Sequence, residues 1–223
     1  MRKLHPSLMG SVHKLPDGVP ITLFTRHSLR ELPNEAIVSY TLPLTEAGVT
    51  LANEWGGNLM RPIASVHSSP VGRCIDTGKA MLEGAKQALD ININPLLTEP
   101  GCYVQDMSKV GKQFVSLGPV DFIDRHFNEP WEGLLPLEDG CAVLLRHFYE
   151  AQGMANTLTI HVTHDTILAA FIYHLMGCSH VDQNAWPWML EGAFLWFDQK
   201  KVHWIWRGEL HSTSLSPYLG SIC

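Results

Sequence analysis

Ile21-Thr22-Leu23-Phe24-Thr25-Arg26-His27-Ser28-Leu29-Arg30 is apolar and β-branched as far as Thr25, then breaks abruptly into Arg-His and a second Arg. The first half reads as a buried strand. The charged half falls where that strand leaves its sheet, the place where open α/β sheets keep their ligands. Two guanidiniums around an imidazole pack poorly in a core. They suit an oxyanion, because Arg offers several donors in a rigid fork and keeps its charge at all working pH values. The expectation is a phosphate site with a histidine nucleophile.

Working outward, the same design recurs. Ile63-Ala64-Ser65-Val66 is a second short buried strand, followed by His67-Ser68-Ser69-Pro70-Val71-Gly72-Arg73-Cys74-Ile75-Asp76-Thr77. Pro70 suits a helix first turn with Ser69 as its cap, and Arg73 then lies about one turn in. Leu158-Thr159-Ile160-His161-Val162-Thr163 is another strand that releases His164-Asp165-Thr166 into a strongly apolar helix over 167–176. Between these, Thr45 caps a helix through Trp55, and 137–152 carries an amphipathic helix closed by Gly153. Residues 96–101 read as a third strand ending in Glu99. Residues 192–198 and 201–207 read as a closing hairpin whose outer edge offers a pairing surface for a homodimer.

Alternating strands and helices predict a three-layer α/β/α sandwich with a mainly parallel central sheet. The 223 residues suit one domain, 1–223, in which the Gly-, Pro- and aromatic-rich stretch 110–136 forms a lid or side-wall insertion. Charged residues make up 17% and hydrophobic residues 45% of the chain, so a packed core is expected rather than a disordered one. A net charge of -6 argues against nucleic acid or an anionic membrane surface as partner. Any anion site must therefore be built locally. No apolar run follows the N-terminal charges as in a signal peptide, and no stretch approaches the ~18 apolar residues of a membrane span. Cys74, Cys102, Cys141, Cys178 and Cys223 are widely spaced without a C-x-x-C pair. That pattern points to a reducing, cytoplasmic setting, with no metal site.

Collected at one sheet edge, Arg26, His27, Arg30, Arg73 and His164 would supply three permanent cations and two imidazoles. A phosphate monoester is held well by bidentate Arg contacts. Passing through a covalent intermediate while neutralising the equatorial oxygens lowers its barrier without a metal.

These residues resemble the histidine phosphatase superfamily, which includes cofactor-dependent phosphoglycerate mutases and histidine acid phosphatases. Residues 25–30 resemble its Arg-His-Gly signature, and Pro43-Leu44-Thr45-Glu46-Ala47-Gly48 its Leu-Thr-Glu-x-Gly helix start. Residues 68–77 resemble its Ser-x-x-x-Arg-x-x-x-Thr block, and His164-Asp165 its second histidine motif. The resemblance implies a phosphoglycerate mutase-like fold and a metal-independent phosphatase, with no cofactor, acting on a small phosphorylated substrate. His27 would become phosphohistidine, while Arg26, Arg73 and His164 bind the phosphoryl oxygens. Arg30 matches a further phosphate ligand of the acid-phosphatase branch. Two proton donors remain open: Asp165, as in the acid-phosphatase branch, and Glu99, where the mutase branch keeps its acid. Either would need to be protonated at working pH. Ser28 replaces the signature's Gly; its hydroxyl would either bind phosphate or crowd the nucleophile. Crowding motivates an alternative, a non-catalytic phospho-ligand-binding pseudo-phosphatase. A phosphomutase is the lesser alternative, because the acidic chain shows no further Arg cluster for a second anion site.

Overall fold

The computed structural model describes residues 3–31, 41–98, 101–129 and 131–219. In chain order the elements are α1 (Ser7–Val12), β1 (Ile21–Arg26), α2 (Glu46–Gly57), β2 (Ile63–Ser68), α3 (Gly72–Gly84), β3 (Ile91–Ile93) and α4 (Met107–Asn128). There follow α5 (Leu137–Glu150), β4 (Leu158–Thr163), α6 (Asp165–Leu175), β5 (Gly192–Phe197), β6 (Lys201–Trp206), β7 (Glu209–Ser214) and α7 (Ser216–Leu219). The seven strands form one sheet in the order β3-β2-β4-β1-β5-β6-β7. β1 to β4 are mutually parallel, and β5 to β7 extend the sheet antiparallel. The mixed α/β sandwich expected from the strand–helix alternation is thus present.

Why β1 and β4 are central follows from their composition. Every residue of β4 is buried, as are the first five of β1, so both faces are covered, as parallel strands require. Ile21 and Leu23 of β1 and Leu158, Ile160 and Val162 of β4 pack with α1 to α3 in one apolar cluster. Phe24 faces the other way, into a second cluster with α4, α5 and α6. On that second face β4 presents the polar, fully buried Thr159, His161 and Thr163.

The register decides where the chemistry falls. Arg26 is aligned with Thr163, and Ser68 with Val162. The ladder continues one step past the strands: His27 N donates to Thr163 O at 2.9 Å and Ser69 N to Val162 O at 3.0 Å. His27, Ser69 and His164 therefore leave the sheet side by side. Thr45 caps α2 by accepting from Gly48 N at 3.0 Å. Gly48 itself is required by close approach, because a Cβ there would stand 2.1 Å from Leu29 O.

Several expectations are corrected. The described part of 96–101 is not a strand. Asn94 Oδ1 accepts from Leu96 N at 3.0 Å and starts a 3-10 turn at Pro95–Leu97, while the edge strand is β3, just before it, paired with β2. The helix after β2 begins at Gly72 with Val71 as N-cap and no side-chain cap; Ser69 Oγ accepts from Val71 N at 3.3 Å, ahead of the helix proper. α5 ends at Glu150, before Gly153, and α6 starts directly at Asp165. Most of 110–136 is α4, broken where Gly118 (φ 75°, ψ 169°) precedes Pro119, and its Val110, Phe114, Phe122 and Ile123 belong to the main core. The hairpin edge at 201–207 is covered, because β7 pairs along all of β6. β7 escaped notice because Glu209-Leu-His-Ser-Thr-Ser has one apolar residue, and only half-buried or exposed positions.

Candidate active site

His27 sits at the exit of β1 and is only 2% exposed. Its Nδ1 lies 2.8 Å from Ser28 O. A carbonyl only accepts, so Nδ1 carries the proton. Nε2 is then the lone-pair nitrogen, and Arg73 Nε donates to it at 2.9 Å. Burial first, then the charges of Arg26, His164 and Arg73, hold the imidazole pKa well below its usual 6.5. His27 is a neutral imidazole whose free electron pair faces a guanidinium.

Arg73 comes from the first turn of α3 and is 4% exposed. Thr77, one turn later, donates to Arg73 O at 2.7 Å and accepts from Ser28 N at 3.0 Å. The four-residue spacing from Arg to Thr puts both on one helix face, and the Thr ties that face to the loop carrying His27. Arg73 also reaches His164: its Nη2 stands 3.2 Å from His164 Nδ1. Since Arg donates, His164 Nδ1 accepts, leaving Nε2 to donate to Ser69 Oγ at 3.0 Å. The His164 pKa is pushed down to about 3, by burial first and then by Arg73, partly offset by Asp165. The two imidazoles stand nearly perpendicular, centroids 5.5 Å apart.

Arg26 forms the other wall. Its Nη1 donates to Pro187 O at 2.6 Å and its Nη2 pairs with Asp165 Oδ2 at 2.5 Å. Arg30 is half-buried, donates to Glu31 O at 3.0 Å, and adds to the positive field acting on His164. A cleft of about 460 Å³ opens beside them, lined by Arg26, Arg30, Lys3, Trp186, Trp188 and Met189 among others. A larger cavity of about 750 Å³ lies between the end of α4 and the α5–α6 side. It touches none of the residues above; the chemistry singles out the smaller cleft.

The structure thus brings Arg26, His27, Arg73, His164 and Asp165 together, with Arg30 at the rim. It turns Ser28 away: the fully buried Ser28 Oγ donates to Gly48 O at 2.7 Å, which accounts for a side chain where a Gly was expected and leaves no hydroxyl for phosphate. Asp165 accepts from Arg26, from Trp186 Nε1 at 3.0 Å and from Thr166 N at 3.1 Å, so it presents an acceptor to the site rather than a proton. Glu99 lies outside the described residues; just before it, Leu97 O accepts from Thr163 Oγ1 at 2.9 Å.

Sequence reading missed the supports of the cleft wall. Buried Glu191 accepts from Trp188 N at 2.7 Å and from Arg207 Nε at 2.8 Å, while Arg207 Nη2 donates to the Ala185 and Trp186 carbonyls. No motif marks this pair. It also missed a metal-capable group: His67, His147 and His161 bring nitrogens within 4.8 Å of one another, apart from the phosphate site.

A family model described as the histidine phosphatase superfamily (branch 1) matches residues 22–204. No curated protein matches the chain. Among solved structures, a phosphoserine phosphatase from Entamoeba histolytica, solved with phosphoserine, is similar with TM-score 0.57 and 14% identity, over 87% of this chain and 95% of that one. A phosphoglycerate mutase from Bacillus anthracis str. Sterne is similar with TM-score 0.55 and 16% identity, over 89% and 93%. A mycobacterial glucosyl-3-phosphoglycerate phosphatase is similar with TM-score 0.53 and 15% identity, over 79% and 90%. At these identities the likeness is one of fold. Among the described residues no helix is long and apolar enough to cross a membrane.

Proposed function

Because the chain belongs to the histidine phosphatase superfamily, we propose that it is a phosphatase hydrolysing a small phosphate monoester through a phosphohistidine on His27. The observation that carries this reading is the tautomer of His27: Ser28 O holds the proton on Nδ1, so the Nε2 pair is directed at the cation-lined site.

In the proposed reaction, Nε2 attacks phosphorus as the ester P–O bond breaks, and the leaving oxygen takes a proton from a carboxylic acid. Arg73 and Arg26 transfer donors to the phosphoryl oxygens, while His164, its Nε2 proton held by Ser69 Oγ, accepts from Arg73 and orients that guanidinium. Preorganised donors of this kind gain most in a dry, buried site. The arriving dianion also offsets the arginine charges that depress the imidazole pKa values, so His27 is stabilised as positive charge develops on it. Water then attacks the phosphohistidine, the same carboxylate takes its proton, and inorganic phosphate leaves.

For the acid we favour Glu99. Asp165 spends its carboxylate on Arg26 and Trp186, which suits it to orienting Arg26. The Trp186–Met189 wall, with Lys3 and Arg30, would receive the rest of the substrate. The pseudo-phosphatase alternative loses its motive, because Ser28 is accommodated by Gly48 O and does not crowd the nucleophile.

The test is acid-quenched mass spectrometry during turnover of a generic phosphomonoester. A phosphoryl group on the peptide containing His27, absent in His27→Ala, is expected. Hydrolysis without that adduct, or with wild-type rate in His27→Ala, would sink the mechanism.

A further inference from the structure

Three histidines that the phosphate chemistry does not use meet one to three residues below it. His67 on β2 and His161 on β4 are register partners in the parallel ladder, and His147 on α5 closes over them. The His67 and His161 rings stack with centroids 4.7 Å apart, and His147 meets both edge-on at 5.2 and 5.0 Å. His161 is 0% exposed, and among the described residues neither of its ring nitrogens has a hydrogen-bond partner. A buried polar group without a partner is costly and rarely kept. Something must repay it.

We propose that His67, His147 and His161 bind a divalent transition-metal ion, zinc being the expected occupant, at a site separate from the phosphate pocket. Imidazole suits Zn, Cu, Ni and Fe and does not suit Mg or Ca; three neutral nitrogens without a carboxylate select against the hard ions. The ligand nitrogens already lie within 4.8 Å of one another. Tetrahedral Zn–N bonds of about 2.05 Å need nitrogens about 3.4 Å apart. Closing that gap takes ring rotation of the half-buried His67 and His147 about His161, in exchange for their contacts to Ser65 Oγ and Asn94 Nδ2. A cleft of about 360 Å³, lined by His147, Arg146, Glu150 and Leu96 among others, reaches the His147 ring from outside.

The site is distinct from catalysis. His161 precedes His164 by three strand residues, about 10 Å along β4, and none of the three touches Arg26, Arg73 or His27 through any hydrogen bond in the structure.

The test is titration of the EDTA-treated, dialysed full chain with Co²⁺ and then Zn²⁺, read by visible absorption and calorimetry. One saturable equivalent is expected, with the d–d bands of a tetrahedral nitrogen site, and Zn²⁺ should displace the Co²⁺. His67→Gln and His147→Gln, at half-buried positions that should still fold, should each weaken binding at least about ten-fold, the low end for losing even an outer-shell partner. His27→Ala should leave it unchanged. Absence of saturable binding in the folded wild type would overturn the site. So would binding that survives both glutamine variants or disappears with His27→Ala.

Discussion

Two groups of imidazoles meet on β4 and treat their surroundings in opposite ways. His27 and His164, at the strand ends, have hydrogen-bond partners on both ring nitrogens, from Ser28, Arg73 and Ser69. His67 and His161, a few residues earlier on β2 and β4, meet His147 of α5 and Phe148, and His161 has no hydrogen-bond partner among the described residues. Burial makes both groups neutral. What differs is the company. Around the first group guanidiniums create a positive field that an anion relieves; in the second, Asn94 Nδ2 donates to His147 Nε2 at 3.0 Å and Ser65 Oγ stands 3.3 Å from His67 Nε2, so the unmatched nitrogens are those of His161, which a cation would relieve. Residue type alone says nothing about which ion a histidine awaits.

The largest expected effect separates the two groups outright. His27→Ala should reduce phosphatase turnover by about 10⁴-fold or more, the scale for removing a covalent nucleophile, while His147→Gln should leave kcat within about two-fold, against a general acid's 10²–10⁴. Steady-state kinetics on the two purified variants checks both; comparable losses would erase the distinction.

The second effect bears on the proton. Glu99→Gln should lower kcat by about 10²-fold or more for an alkyl phosphate, the usual worth of a general acid, and much less for p-nitrophenyl phosphate, whose leaving group hardly needs a proton. Asp165→Asn should weaken both substrates alike, because it frees Arg26. The reverse pattern would return the acid to Asp165.

Stability against pH sharpens the comparison further. A histidine whose folded pKa lies below its unfolded value of 6.5 is neutral in the fold and takes up a proton on unfolding. Its contribution is complete above 6.5 and is lost as pH falls toward the folded value, about 4 for His67 and about 3 for His164. Metal-free protein should therefore lose thermal midpoint steadily between pH 6.5 and 4, and His67→Gln should flatten that slope. An unchanged slope would remove His67 from the account.

Two smaller effects follow. Ser28→Gly should cost about 1 kcal/mol of unfolding free energy, the usual worth of a buried hydrogen bond, and leave the KM for phosphate esters unchanged; a raised KM would restore Ser28 to the phosphate site. Removing metal with EDTA should change the phosphatase rate by less than about two-fold, since catalysis is assigned no metal.

Much of the candidate site was legible because its residues are local signals: a buried strand that stops at Arg-His and a helix whose Arg and Thr stand four apart. These depend on chain neighbours within one or two turns. The role of Ser28 was not legible, since its partner Gly48 is twenty residues away. Nor was Asp165's engagement with Arg26, which rests on the parallel alignment of β1 with β4.

By itself, then, the sequence determined the alternation of strand and helix, the apolar faces and the placing of Arg and His side chains at the strand ends, because period and residue type act locally. Only the tertiary structure decided that β7 covers the hairpin edge, that Glu191 and Arg207 brace the cleft wall, and that His67, His147 and His161 converge. Those three lie 94 residues apart at the extremes (161 − 67). They meet through strand register and the packing of α5, which long-range burial sets and no local pattern records.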